Sequence, residues 1–240
     1  TAHTIINRRL MGAIEFDDAI HGFRQRRGTG TAIMEAKLLA QLCCREDEPL
    51  FMVFVDLKKA YDTLDRAQAL RVLRGYGVGE KVCRIIRTIW DGDTMVPRQA
   101  GYFGRPFSAK RGVRQGDIMS PTIFNIMADA AVRHWRHVVS PVAPKETAVF
   151  YADDGLITGT SNDRVQTSID VLTSAFGALG LKMNARKTEF ILMAGGHRRT
   201  SMSQRAFNTR YTEGPDYNKG VTPRTHGYLD GCGSSCAILW

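Results

Sequence analysis

Apolar and polar positions fall into runs of helical and of strand character. From Thr31 to Cys43, Ile33, Ala36, Leu38, Leu39 and Leu42 recur near the helical period behind a threonine able to cap the first turn, and predict a first helix. Leu50 to Val55 is an unbroken apolar run closed by Asp56. A run that short fits a buried strand better than a helix, and it delivers the carboxylate at its end. Asp65 to Arg74, stopped by Gly75, and Glu80 to Trp90, with Val82, Ile85, Ile86 and Ile89 to one side, predict two further helices.

Between Thr94 and Phe107 the pattern weakens around Gly101 and Gly104, as in a hairpin or an irregular crossover. Ser120-Pro121 opens a helix running to about Val138, with the serine as cap and the proline where no amide donor is needed. Ala148 to Tyr151 and Leu156 to Thr158 flank Ala152-Asp153-Asp154-Gly155, where the Asp-Gly pair signals a hairpin turn. Asp163 to Leu179 carries Val165, Ile169, Leu172, Phe176 and Leu179 on one face, ends at Gly180 and leads to a short strand from Thr188 to Met193. The sum is a set of helices covering a small antiparallel sheet, a fold of the α+β class without internal repeats.

Composition adds a partner class. With 240 residues, 43% of them hydrophobic, the chain can bury a proper core and stands apart from disordered proteins. An excess of 33 Lys and Arg over 24 Asp and Glu leaves a net charge of +9, which favours a polyanionic partner. After Met193 periodicity fades, and Arg198, Arg199, Arg205, Arg210, Lys219 and Arg224 outnumber Glu213, Asp216 and Asp230. Residues 194–240 therefore read as a basic, poorly ordered C-terminal segment, either solvated or in contact with nucleic acid. No apolar run approaches the roughly 20 residues that cross a bilayer, so no membrane span is predicted. The start, Thr1-Ala2-His3, lacks Met and the apolar core of a secretory signal and looks like an excerpt of a longer protein. Five thinly spread cysteines fit a reducing compartment without structural disulfides, so an intracellular protein, nuclear or cytoplasmic and not secreted, is expected.

Three aspartates carry the candidate chemistry. Asp56 closes one predicted strand while Asp153 and Asp154 sit in the turn of a hairpin, so a fold that pairs those strands brings carboxylates about a hundred residues apart to one edge. Such a cluster is costly unless hard cations such as Mg²⁺ neutralise it, and two ions about 4 Å apart serve in-line phosphoryl transfer. Taken singly, each aspartate is equally a turn residue, a helix cap or a solvated loop residue.

The context is more specific. Phe54-Val55-Asp56-Leu57-Lys58-Lys59-Ala60-Tyr61-Asp62, then Arg111-Gly112-Val113-Arg114-Gln115-Gly116-Asp117-Ile118-Met119-Ser120-Pro121, then Phe150-Tyr151-Ala152-Asp153-Asp154 resemble, in that order, three successive motifs of reverse transcriptases, most closely those of non-LTR retrotransposons. Gly180-Leu181-Lys182-Met183-Asn184-Ala185-Arg186-Lys187-Thr188 is similar to the family's next motif, and His21-Gly22-Phe23-Arg24 with Arg27-Gly28-Thr29 looks like part of its fingers. The resemblance covers about His21 to Met193.

That resemblance implies a right-hand polymerase fold, with residues 1–49 as partial fingers and 50–193 as the palm. It implies an RNA-directed DNA polymerase that adds deoxynucleotides to a primer 3′-end by two-metal phosphoryl transfer. Its partners would be an RNA template, a DNA primer and dNTPs, and its cofactors two Mg²⁺ ions, with Mn²⁺ as an alternative. Asp56, Asp153 and Asp154 match the family's metal-binding catalytic carboxylates, and the Leu57 carbonyl is expected to help hold the ion that carries the triphosphate. Tyr61 matches the aromatic position beneath the incoming sugar that disfavours a 2′-hydroxyl; its plain alternative is a half-buried tyrosine at a helix start. Gln115 and Gly116 match the loop against the nascent base pair and template, where glycine permits close approach and glutamine offers both donor and acceptor.

Arg114 closes a stretch holding Arg98, Arg105, Lys110 and Arg111 without an Asp or Glu. It reads as a track for a template or primer backbone, or else as a solvated hairpin. Lys187 matches a position that stabilises charge near the triphosphate or primer end, with a surface lysine as the alternative. RNA-copying RNA polymerases commonly place Gly before the paired aspartates and lack the aromatic gate, so Tyr151-Ala152 with Tyr61 looks like a DNA-synthesising enzyme. Group II intron proteins share these motifs.

The chain begins after the basic fingers segment with which relatives grip the triphosphate, and no thumb or endonuclease is identified downstream. Cys232 and Cys236, with His226 nearby, fall short of the four ligands of a structural zinc site. Two readings follow: a Mg²⁺-dependent polymerase core, or a catalytically inactive retroelement remnant that only binds nucleic acid. The sequence leaves the oligomeric state open.

Overall fold

A helix that the apolar pattern did not announce opens the chain. In the computed structural model, which describes residues 1–46 and 48–193, α1 (Ala2–Ala13) is capped by the Thr1 hydroxyl and buries Ile6 and Leu10. The longer α2 (Thr29–Glu46) starts two residues ahead of Thr31, whose hydroxyl accepts from the Gly28 N–H and donates to the Gly28 carbonyl. Then come β1 (Leu50–Asp56), the single turn α3 (Ala60–Thr63), α4 (Arg66–Gly75) and α5 (Glu80–Asp91). Asp65 caps α4 by accepting from the amides of Ala67 and Gln68, which satisfies two of the first turn's unpaired donors.

The weakly patterned stretch is a hairpin of two nested ladders: β2 (Thr94–Met95) pairs with β5 (Phe107–Ser108), and β3 (Arg98–Gln99) with β4 (Tyr102–Phe103). The chain continues through α6 (Ser120–Val139), β6 (Thr147–Tyr151), β7 (Asp154–Gly159), α7 (Asn162–Ala178) and β8 (Glu189–Met193). At α6 the cap position belongs to Met119, which makes no side-chain bond; Ser120 and Pro121 form the first helical turn instead. Proline needs no amide partner there, so the start is sound without a capping hydroxyl.

The sheet runs in the order β6-β7-β1-β8 with every neighbour antiparallel. Side chains alternate between its faces with the period of a strand. Phe51, Val53, Val55, Phe150 and Ile157 join the main core, which α6 and α7 fill with Phe124, Trp135, Ile169, Leu172 and Phe176. Leu50, Met52, Val149 and Leu156 point the other way, against Ala32, Ala36, Ala40 and Cys43 of α2. The predicted apolar set of α2 is only in part its packed face: Ala36, fully buried, and Leu39 meet the sheet, whereas Leu38 and Leu42 are 52% and 40% exposed. Small residues let the helix lie close to the strands, and closeness decides the face over hydrophobicity alone.

The hairpin turn also differs from its sequence signal. Tyr151 pairs with Asp154, so the two turn residues are Ala152 and Asp153, and Ala152 adopts the left-handed conformation at φ 54°. Gly155 lies one residue inside β7, where a β-carbon would collide with the Phe150 ring and Val55 Cγ2. The Asp-Gly pair thus marks a site without room for a side chain. No described helix is long and apolar enough to cross a membrane. The basic segment 194–240, with His226, Cys232 and Cys236, lies outside the described residues.

Candidate active site

The three aspartates meet because β1 and β7 are hydrogen-bonded neighbours. Asp56 at the end of β1 sits directly opposite Asp154 at the start of β7, and the Leu57 N–H donates to the Asp153 carbonyl at 3.1 Å. Residues opposite one another in an antiparallel pair share a face, with β-carbons about 4.5–5.5 Å apart. Asp154 is exposed, Asp153 and Asp56 half-buried. Partial desolvation, then the charges of Asp153 and Asp56, hold the Asp154 carboxyl above its usual range, against the opposing pull of Lys187.

The segment after α7 folds back over this edge. Asn184 takes Asp56 from two sides: its amide N–H donates to the Asp56 carbonyl at 2.7 Å and its side-chain Nδ2 to Asp56 Oδ2 at 2.8 Å. Lys187 Nζ donates to the other carboxylate oxygen at 3.0 Å. That hydrogen bond, then the Asp56 charge, raises the Lys187 pKa, with Asp154 and Asp153 adding to it. Among the described residues no three acidic, His or Cys side chains close into a ready-made cation cage. Both oxygens of Asp56 are taken up by Asn184 and Lys187. The donor set nonetheless suits a hard divalent cation: three carboxylates gathered at one sheet end, with Asp154 destabilised as an anion by its neighbours.

Tyr61 stands in α3, just past the Asp56 edge. Its ring stacks on Phe124 of α6 with centroids 5.1 Å apart and planes at 17°. Burial, then the charge of Asp153 and the neighbouring Tyr151, push its phenol up to about 12. The loop before α6 is fastened to the same turn: Val113 N–H donates to the Tyr61 carbonyl and Gly112 N–H to the Leu64 carbonyl, each at 2.8 Å. Gly112 adopts φ +79°, and a β-carbon there would stand 2.6 Å from the Asp62 carbonyl oxygen, so no other residue fits. Gln115 and Gly116 follow, both exposed, with Gly116 at φ +89°. Gln115 is thus presented to solvent.

Arg114 is already partnered: it ion-pairs with Asp93 and donates to the Thr94 carbonyl at 3.0 Å. Asp93, 8% exposed, also receives Arg66, whose guanidinium further donates to the carbonyls of Trp90, Ala109 and Gly112. This Arg66–Asp93 hub roots the β2–β5 hairpin, and the sequence held no sign of it beyond one arginine behind a capping aspartate. Asn184 likewise escaped notice as a functional residue, although it lies within a motif already singled out; a lone asparagine beside a strand has no spacing signal. Residues Ala19 to His21 were also missed as an edge. The Phe150 N–H donates to Ala19 and the His21 N–H to Phe150, while Phe23 stacks on Tyr151 at 6.1 Å. The segment ahead of α2 thus bridges the outer edge of β6 just before the aspartate turn.

Comparison with known proteins supplies the family and the fold. The family described as reverse transcriptase (RNA-dependent DNA polymerase) matches residues 2–224. The chain is 26% identical over 190 residues to the retrovirus-related Pol polyprotein from the type-2 retrotransposable element R2DM of Drosophila melanogaster, covering 77% of this chain and 18% of that protein. It is 26% identical over 200 residues to the Pol polyprotein from a type-1 retrotransposable element R2 of Popillia japonica, covering 80% of this chain and 28% of the relative. It therefore spans less than a third of the length of these relatives. Among solved structures, apo telomerase from Candida tropicalis truncated from its C-terminal domain superposes with a TM-score of 0.64 at 15% identity, over 82% of this chain and 41% of that one. The telomerase of the same organism in complex with a TWJ fragment of telomeric RNA gives 0.62 at 15% identity, over 83% and 34%. At that identity the likeness is one of fold. On the family match over most of its length, and with R2 elements as relatives, the chain belongs to the reverse transcriptase (RNA-dependent DNA polymerase) family, of the non-LTR retrotransposon type.

Proposed function

We propose that this chain is the polymerase core of a longer retroelement protein, with residues 1–49 serving as partial fingers and 50–193 as the palm. It extends the 3′-end of a DNA primer along an RNA template with dNTPs, in the nucleus or cytoplasm. The observation that carries this reading is the backbone pairing that sets Asp56 opposite Asp154 and ties Leu57 to Asp153. Asp56, Asp153, Asp154 and the Leu57 carbonyl hold the divalent cations. Two Mg²⁺ ions, or Mn²⁺, would supply the charge that activates an attacking hydroxyl and stabilises the leaving oxygen.

The remaining residues position the substrate. Tyr61, held flat by Phe124, floors the sugar site and leaves no space for a 2′-hydroxyl. Gln115 and Gly116 lie against the nascent pair, on a loop fixed to Tyr61 through Val113. Arg114 steadies the hairpin root through Asp93 and presents its remaining surface to the template. Lys187 contributes positive charge at the carboxylate edge, where a triphosphate or primer end would lie.

Primer extension on an RNA template with dNTPs and Mg²⁺ tests the reading, run beside a variant carrying Asp153→Asn and Asp154→Asn. The expected outcome is DNA synthesis that the double change abolishes while template binding is largely kept. Synthesis that survives the double change would overturn the site, and silence of the unmodified chain would overturn the activity.

A further inference from the structure

We infer that the Thr94–Ser108 hairpin is a stacking surface for unpaired RNA, which grips the template ahead of the site. Tyr102 is 83% exposed, Phe103 71%, Phe107 51% and Val96 48%. Aromatic rings are rarely left so open on a two-residue ladder that gains little from its own pairing. The Arg98 guanidinium lies 5.4 Å above the Phe103 ring. Among the described residues Arg98, Arg105, Lys110 and Arg111 take part in no ion pair, and positions 94 to 116 contain no acidic residue.

Charge and chemistry together select the occupant. Uncompensated basic side chains attract phosphates, and exposed aromatic faces stack on bases of any sequence. Bases in a duplex are stacked on one another already, so the faces require a single strand. Tyr, Phe and Arg recur at protein–protein interfaces too, so the rings alone do not choose the occupant; the run of basic side chains without one acidic residue from 94 to 116 does, because it suits a polyanion. The position fits as well. The Arg66–Asp93–Arg114 hub anchors the hairpin base, and the same stretch runs on through Gly112 and Val113 to the Tyr61 turn and the Gln115–Gly116 loop. A strand entering the site passes along one continuous basic ribbon. That this strand is the template rests on the polymerase reading; the stacking surface does not.

The test measures binding of the 240-residue chain to a fluorescent single-stranded RNA and to a blunt RNA–DNA duplex over a range of salt, with primer extension alongside. Variants are Tyr102→Ala with Phe103→Ala, the same pair changed to Leu, and Arg98→Gln with Arg105→Gln. Loss of the two rings should weaken single-strand binding by at least about 10-fold, with duplex affinity kept and the salt slope unchanged. The leucine pair preserves apolar strand residues and should lose as much, which separates stacking from folding. The arginine pair should lower the salt slope by about 0.7 per charge. Undiminished single-strand affinity in the ring variants would overturn the inference and leave a protein contact in its place. So would an equal loss on single strand and duplex. Hairpin-dependent RNA binding by a chain that extends no primer would uphold the stacking surface while removing the polymerase reading.

Discussion

At the scale of single residues, the geometry turns on how Asp56 is held. Its carboxylate is fixed by Asn184 at one oxygen and met by Lys187 at the other. Only the asparagine is also bonded through its backbone, and its own carbonyl receives the Lys187 amide. Asn184 is thus a positioning residue: it fixes the direction of Oδ1 without contributing charge. With Asp56 as a cation ligand of the proposed site, removing such a supporting hydrogen bond should cost about 10–100-fold in metal affinity or activity. Asn184→Ala should therefore raise the Mg²⁺ concentration needed for half-maximal extension, with thermal unfolding little changed. An unaltered Mg²⁺ requirement would mean that Asn184 serves only the fold. The aspartates themselves were legible in the sequence because strand ends and turn residues have recognisable neighbours. Asn184 was not, because its role depends on a contact with a residue 128 positions away.

Among the elements, the junction of β6, β7 and α7 buries a carboxyl group without a hydrogen-bond partner. Glu146, just before β6, is 4% exposed, and neither carboxylate oxygen has a hydrogen-bond partner. It packs against Gly159, where a β-carbon would stand 3.0 Å from its Cγ. Burial raises its pKa from 4.5, with Arg164 opposing. The native state therefore binds the proton more tightly than the unfolded chain does. The sign follows: stability is greatest with Glu146 protonated, below its unfolded value, and falls as pH rises towards the higher native one. Glu146→Gln should stabilise the fold near neutral pH, where it removes the buried charge, with the gain shrinking in acid as Glu146 itself becomes neutral. Urea unfolding of both proteins at the two ends of that range measures it. The strands and helices around this junction were legible from their apolar period, since Ala148, Phe150, Ile157 and Ile169 all reach the core as their spacing requires. The turn lies two residues ahead of the Asp154-Gly155 pair that signals it, because Gly155 answers to lack of space, which no local pattern records.

For the molecule as a whole, the sheet is a partition with unlike coverings. One face meets the large side chains of α6 and α7; the other meets the alanines of α2. The sequence reading places Ile33, Ala36, Leu38, Leu39 and Leu42 together on the apolar side of this helix; the structure packs Ala36 and Leu39 against the sheet, adds Ala32, Ala40 and Cys43, and leaves Leu38 and Leu42 exposed. The difference is measurable. Ala36, fully buried against the Leu50, Met52, Val149 and Leu156 face, has no room for three more carbons, so Ala36→Leu should destabilise by about 1–3 kcal/mol. Leu38, 52% exposed, should tolerate Gln within about 0.5 kcal/mol. Denaturant unfolding of the two variants distinguishes the arrangements: if Leu38→Gln cost more than Ala36→Leu, α2 would pack by its leucines and the sheet's second face would be built otherwise. The expected order also bears on the site. α2 packs closely enough to cover Met52 and Leu156, yet the same face carries Asp56 and Asp154 at its far end beyond the alanine stripe. A helix held close by small residues lets one sheet face be core at one end and open, carboxylate-bearing surface at the other.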